Sequence, residues 1–101
     1  MNMELYNEYI SKLKCCVLDA LKGEDIKVFV FGSRARGDGH RTSDIDIGYR
    51  AGECFDKKKL IFLKNELEKV NIPYKVELVN FDEVGKDFKE EALKDIVVWK
   101  D

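Results

Sequence analysis

The segment VFVFGSRARGDGHRTSDIDIGY, residues 28–49, contains two strand patterns joined by a loop. The first four residues are apolar and either β-branched or aromatic, which predicts a buried strand over 26–31 that ends at Gly32 and Ser33. Glycine lets the backbone turn and approach a ligand closely, and the serine beside it offers a hydroxyl group and an N–H group. We therefore expect a phosphate-binding turn at the end of this strand.

The second half of the segment predicts a metal-binding strand. Residues 43–47 alternate between polar and apolar, so we expect a half-buried strand over 43–50 with Asp44 and Asp46 on one face. Their Cα atoms would lie about 6.6 Å apart at a rise of ~3.3 Å per residue. Carboxylates this close repel unless a cation lies between them, and Mg²⁺ typically binds one or two carboxylates together with substrate phosphates. This combination is typical of phosphoryl or nucleotidyl transfer.

Length and composition indicate one small domain, residues 1–101. The formal net charge is −2, which gives no overall attraction to nucleic acid. Three cysteines and one histidine suit neither a disulfide framework nor a zinc site, and they favour the reducing cytoplasm. The amino-terminal residues are too polar for a signal peptide, and no apolar run approaches the ~20 residues of a membrane helix. We expect a cytoplasmic protein without direct nucleic-acid or membrane contact.

The rest of the chain predicts a compact α/β scaffold. Its apolar periodicities predict helices over 3–22 and 56–70, a strand over 74–81, a short helix that begins at Asp82, and an edge strand over 96–99. Gly23 and Asp56 are typical helix-ending and helix-starting residues. Trp99 belongs either to the core or to a partner interface. The expected fold is α/β (α+β), a small mixed β-sheet with helices packed on one face.

A third candidate acid, Glu77, lies in the strand predicted over 74–81. Alternation places Glu77 on one face together with Lys75, Val79 and Phe81. A buried carboxylate in so apolar a strand needs a partner or a metal ion. Two interpretations stay open, namely a ligand in the metal site and a solvated acid beside Lys75.

The spacing of these residues resembles a known signature. Gly32-Ser33, ten residues and then Asp44-x-Asp46 resembles the DNA polymerase β-type nucleotidyltransferases, and GSRARGDG…SDIDI resembles their minimal nucleotidyltransferase (MNT) family, which includes antitoxins paired with HEPN toxins. The resemblance implies a polymerase β-like core with three acids on the open face of the sheet. Asp44 and Asp46 would hold two Mg²⁺ ions ~3.5–4 Å apart, and Glu77, where the family more often has aspartate, would complete the site and receive a proton.

The resemblance also implies a donor and an acceptor. ATP would donate AMP, with its β- and γ-phosphates held by Gly32 and Ser33. Arg36 would neutralise phosphate charge, although an ion pair of Arg36 with Asp38 or another acid inside the loop is an equally open interpretation. The acceptor would be a tyrosine hydroxyl of a HEPN-type toxin protein, with which the chain would form a hetero-oligomer. Assembly into a homo-oligomer is also open.

Two other functions compete with protein adenylylation. The first is a non-catalytic antitoxin that masks its toxin sterically with the same fold. The second is a nucleotidyltransferase that acts on a small acceptor such as an aminoglycoside. The three acids together favour the enzyme over the steric antitoxin, and the absence of a predicted acceptor-binding domain disfavours the small acceptor.

Overall fold

Four strands and three helices make up the part of the chain, residues 3–32 and 45–101, that the computed structural model describes, with side chains from Glu8 onward. In chain order they are α1 (Met3–Ala20), β1 (Ile26–Phe31), β2 (Ile45–Ala51), α2 (Lys58–Lys69), β3 (Val76–Asn80), α3 (Lys86–Ala92) and β4 (Val97–Lys100). The ends of α1, β1, α2, β3 and β4 fall within two residues of the predicted ones. No helix in these two segments is both long and apolar enough to span a bilayer.

The strands form one mixed sheet in the order β3-β2-β1-β4. Strand β1 is antiparallel to β2 and to β4, whereas β2 and β3 are parallel. Parallel neighbours need a long crossover connection, and α2 lies in that connection. The predicted fold class is therefore confirmed, with β3 and β4 as the two edges of the sheet.

The two long helices cover one face of the sheet. Side chains of α1, α2 and the alternate positions of β1 and β2 share one core cluster. Its largest fully buried members are Leu13, Leu21, Ile45, Ile47 and Leu63. The register between β1 and β4 shifts at Val28 and Phe29, which leaves Trp99 as the extra residue of a bulge. Trp99 is 8% exposed and packs in this cluster, so it is a core residue.

The opposite face carries a smaller aromatic cluster, formed by Phe29, Phe31 and Phe81. The Phe81 ring packs edge-on against the other two, with centroid separations of 4.7 Å to Phe29 and 4.9 Å to Phe31. Residues in and around α3, including Ala92 and Leu93, pack against this aromatic cluster. The short helix α3 therefore packs on the face of the sheet that the long helices do not cover.

The predicted start of α3 at Asp82 is wrong. The helix begins at Lys86, with Gly85 in extended conformation as its N-cap. The backbone N–H of Asp82 donates to the Asn80 side-chain oxygen at 2.9 Å, and its carboxylate pairs with Arg50 at 3.3 Å. Asp82 is therefore part of the turn after β3, where it links that turn to the end of β2.

Replacing Gly48 with alanine should destabilise the fold through the aromatic cluster. A Cβ atom at Gly48 would lie 2.5 Å from Phe29 and 2.6 Å from Phe81. Such overpacking typically costs about 1–3 kcal/mol in the free energy of unfolding, which urea denaturation measures. Gly85→Ala is the matched control, because a Cβ atom there meets nothing within 4 Å. Equal stability of the two variants would contradict this account of the cluster.

Candidate active site

Asp46 and Glu77 lie side by side on the open face of the sheet. They are register partners on the parallel strands β2 and β3, which run about 4.8 Å apart. The sequence neighbours of each acid on its own strand pack toward the helices, so both carboxylates point to the opposite face. Asp46 is half-buried, and the Glu77 side chain is 48% exposed. The fold therefore presents an acid pair to solvent.

Gly32 lies directly against the carboxylate of Asp46. Its φ of +80° is in the left-handed region, which glycine adopts without a steric penalty. A Cβ atom at Gly32 would lie 2.7 Å from Oδ2 of Asp46. Glycine at this position thus meets two requirements at once, the backbone turn at the end of β1 and space for the carboxylate. The Asp46 side chain occupies the point where the predicted phosphate-binding turn begins.

Lys75 forms an ion pair with Glu77, one of the two acids. Its Nζ atom lies 3.6 Å from Oε1 of Glu77, and the two side chains are 71% and 48% exposed. Exposed pairs of this kind contribute about 0–1 kcal/mol, so a divalent cation can replace the lysine at little cost. The Lys75 contact matches the solvated interpretation of Glu77, and the position beside Asp46 matches the metal-ligand interpretation. The described geometry accommodates both.

Several predicted site residues lie outside the described part of the chain. They are Ser33, Arg36 and Asp44, together with Asp38, the alternative ion-pair partner of Arg36, and the first two positions of the strand predicted over 43–50. Within residues 3–32 and 45–101 there is no group of three metal-ligating side chains. The two described carboxylates, Asp46 and Glu77, are nevertheless the oxygen ligands that Mg²⁺ prefers. This donor set fits the ion that the sequence predicts.

Sequence reasoning missed the aromatic side of this site. Phe31 is the cross-strand partner of Asp46 on β1, and its ring lies on the same face as the carboxylate. The signal was present, because alternation along β1 places Phe29 and Phe31 together on the face that Asp46 shares. The acid pair therefore borders the aromatic cluster.

The free cysteines do not supply a nucleophile near the acid pair. Cys16 packs partly buried against the core on the helix-covered face, and Cys15 and Cys54 are exposed elsewhere. Burial, with smaller contributions from Glu66 and Asp19, raises the pKa of the Cys16 thiol. A raised pKa keeps the thiol protonated and unreactive near neutral pH. Cys16 is a packing residue.

Comparison with protein families gives one domain-wide match. The model of the family described as polymerase beta, nucleotidyltransferase matches residues 20–101. A curated relative, the Haemophilus influenzae protein named "Probable protein adenylyltransferase MntA", is 31% identical over 74 residues. The aligned part is 73% of this chain and 65% of that relative, so the chain spans slightly less than two thirds of the relative's length.

Solved structures resemble the fold at lower sequence identity. A protein described as a minimal nucleotidyltransferase superposes with a TM-score of 0.68 at 22% identity, covering 96% of this chain and 95% of that one. A toxin–antitoxin crystal structure with AMP-PNP contains a chain that superposes with a TM-score of 0.62 at 21% identity, covering 85% of this chain and 71% of that one. These likenesses show a shared fold.

Proposed function

Because the chain belongs to the polymerase beta nucleotidyltransferase family, we propose that it is a Mg²⁺-dependent enzyme that transfers AMP from ATP to a hydroxyl group of a protein partner. The observation that carries the proposal is the contact of Asp46 with Gly32 beside Glu77. It brings a carboxylate pair to the start of a predicted phosphate-binding turn. In nucleotidyl transfer the acids must lie close to the phosphates of the donor, because the two groups bind the same cations.

In the proposed reaction the acceptor oxygen attacks the α-phosphorus of ATP. A new phosphorus–oxygen bond forms, the bond to the α,β-bridging oxygen breaks, and pyrophosphate leaves with that electron pair. Asp44, Asp46 and Glu77 would hold two Mg²⁺ ions, which when bound neutralise phosphate charge and lower the pKa of the acceptor hydroxyl. Glu77 would receive the proton of that hydroxyl.

The phosphates of the donor would rest on the turn after β1. Gly32 permits close approach of the backbone, and Ser33 would donate from its hydroxyl and N–H groups to the β- and γ-phosphates. Arg36 would pair with phosphate oxygens through its guanidinium group. These assignments follow from the sequence motif. The conformation of Gly32, with a φ of +80°, suits the role assigned to it.

The acceptor in this proposal is a HEPN-type toxin, adenylylated on a tyrosine hydroxyl, and the chain acts as its antitoxin. Two comparisons support a toxin as the protein acceptor: the Haemophilus influenzae relative is named a probable protein adenylyltransferase, and a toxin–antitoxin structure contains the same fold. The HEPN type and the tyrosine are what the family resemblance implies. The two proteins would form a hetero-oligomer. We place the reaction in the cytoplasm, where free cysteines stay reduced.

The proposed function is tested by the intact mass of the partner. The protein encoded beside this chain, taken as the candidate toxin, is incubated with the protein, ATP and Mg²⁺, and Asp44→Ala is run in parallel. We expect the toxin to gain the mass of AMP with the unchanged protein only. No gain in mass with a stable complex would replace the proposal by steric masking. No gain and no complex would replace it by transfer to a small acceptor.

Paired variants separate the two interpretations of Glu77. If Glu77 holds a cation and receives the proton, Glu77→Gln should slow AMP transfer by about 100-fold. Lys75→Gln should stay within about fivefold of the unchanged protein, because an exposed ion pair contributes little. The measurement is the initial rate of AMP incorporation at saturating ATP and Mg²⁺. Equal, small effects of the two substitutions would assign Glu77 to a surface ion pair.

A further inference from the structure

Phe88 is a half-exposed aromatic residue that the proposed mechanism does not use. It lies on α3 and is 49% exposed. Its ring lies 6.0 Å from Phe31 and 5.9 Å from Phe81, measured between centroids, with interplanar angles of 88° and 47°. The ring therefore contacts the aromatic cluster, while about half of the residue is exposed to solvent.

The position of Phe88 relative to the acid pair sets it apart from the other exposed apolar side chains. Those described are Ile61, Phe62, Val97 and Val98. Phe88 contacts Phe31, which directly precedes Gly32 and is the cross-strand partner of Asp46. Opposed residues on antiparallel strands lie about 4.5–5.5 Å apart between Cα atoms. The Phe88 ring is thus one side chain away from the acids, on their face of the sheet.

We propose that Phe88 stacks on the nucleobase of the donor nucleotide. The inference rests on the proposed function, because phosphates bound at Gly32, with a shared cation between them and Asp46, would place the attached nucleoside near this face of the sheet. The exposed part of Phe88 is apolar and lies next to Phe31 on that face, so a flat base could pack against it. Stacking is tolerant of base identity, because every base has a π-face. Phe88 is then a positioning residue that strengthens binding of ATP and GTP alike.

The test compares two ligands that differ in the nucleoside. Isothermal titration in the presence of Mg²⁺ measures the affinity of the full chain for ATP and for inorganic tripolyphosphate. Phe88→Ala should weaken ATP binding by about 5-fold to 100-fold, which is the effect of removing one stacked aromatic side chain. Tripolyphosphate binding should not change. Phe88→Trp should retain ATP binding, because it keeps an aromatic surface.

Phe62→Ala is the matched control. Phe62 is 48% exposed, close to the exposure of Phe88, but it lies on α2 on the helix-covered face of the sheet. Its replacement should leave both affinities unchanged. A similar loss of ATP affinity in the two alanine variants would overturn the inference, because the effect would then come from general loss of apolar surface.

Three other outcomes would also overturn the inference. Equal loss of ATP and tripolyphosphate affinity in Phe88→Ala would mean that the ring merely supports the site. Unchanged ATP affinity, with weaker binding of the toxin partner, would make Phe88 part of a protein interface and leave the proposed function standing. Failure of the unchanged protein to bind either ligand would reject the proposed function and the stacking together.

Discussion

Replacement of Asp46 by asparagine should lower the rate of AMP transfer about 1,000-fold and leave the fold intact. The substitution keeps the size of the side chain but removes the charge that would hold a cation next to the phosphates. A catalytic metal ion supplies several kcal/mol of transition-state stabilisation, and each 1.4 kcal/mol corresponds to about tenfold in rate. The amide still fits over Gly32, so the packing beside the carboxylate position is unchanged.

The measurement is AMP incorporation into the toxin partner under single-turnover conditions, with thermal unfolding recorded for each variant. Asp82→Asn is the control, since Asp82 is an aspartate in the turn after β3 whose carboxylate pairs with Arg50 on β2. It should retain the rate of the unchanged protein. If Asp46→Asn and Asp82→Asn transfer AMP equally well, Asp46 does not take part in the reaction and the proposed function loses its central residue.

The placement of the acids illustrates what strand periodicity can predict. Alternation along β2 and β3 predicted which neighbours share a face with Asp46 and with Glu77. The family resemblance implied that the acids lie on the open face of the sheet. The periodicity did not predict that the two acids are neighbours. Their adjacency depends on the pairing of β2 with β3 in a register that places position 46 opposite position 77. Local patterns do not specify strand order, and the family resemblance implied only that the acids share the open face of the sheet.

Other features depended on tertiary contacts and escaped the sequence patterns. Asp82 has the residue type of a helix N-cap, but the turn after β3 and Arg50 take up its polar groups, and α3 begins four residues later. The two environments considered for Trp99 were separated only by the bulge in β4, which turns this side chain into the core. The support of Phe88 by the aromatic cluster likewise joins residues distant in the chain. In each case contacts between residues distant in the chain decided the outcome, and local sequence propensity does not include such contacts.

Replacement of Gly32 by alanine should reduce AMP transfer about 100-fold, far beyond its effect on stability. The new Cβ atom would lie 2.7 Å from Oδ2 of Asp46, so the carboxylate must move. A misplacement of about 1 Å at a reacting centre can cost about 100-fold in rate. The substitution also forces alanine into a left-handed conformation, which costs roughly 1–2 kcal/mol in folding free energy.

Gly23→Ala separates the two effects of that substitution. Gly23 follows α1 with a φ of +77°, almost the same as the +80° of Gly32, but a Cβ atom there meets nothing within 4 Å. Both variants should therefore lose similar stability in urea denaturation, and only Gly32→Ala should lose activity at a temperature where both remain folded. Equal activity of the two variants would show that the Asp46 carboxylate tolerates displacement. The close contact of Gly32 with Asp46 would then be a packing feature of the strand end, with no part in positioning a catalytic acid.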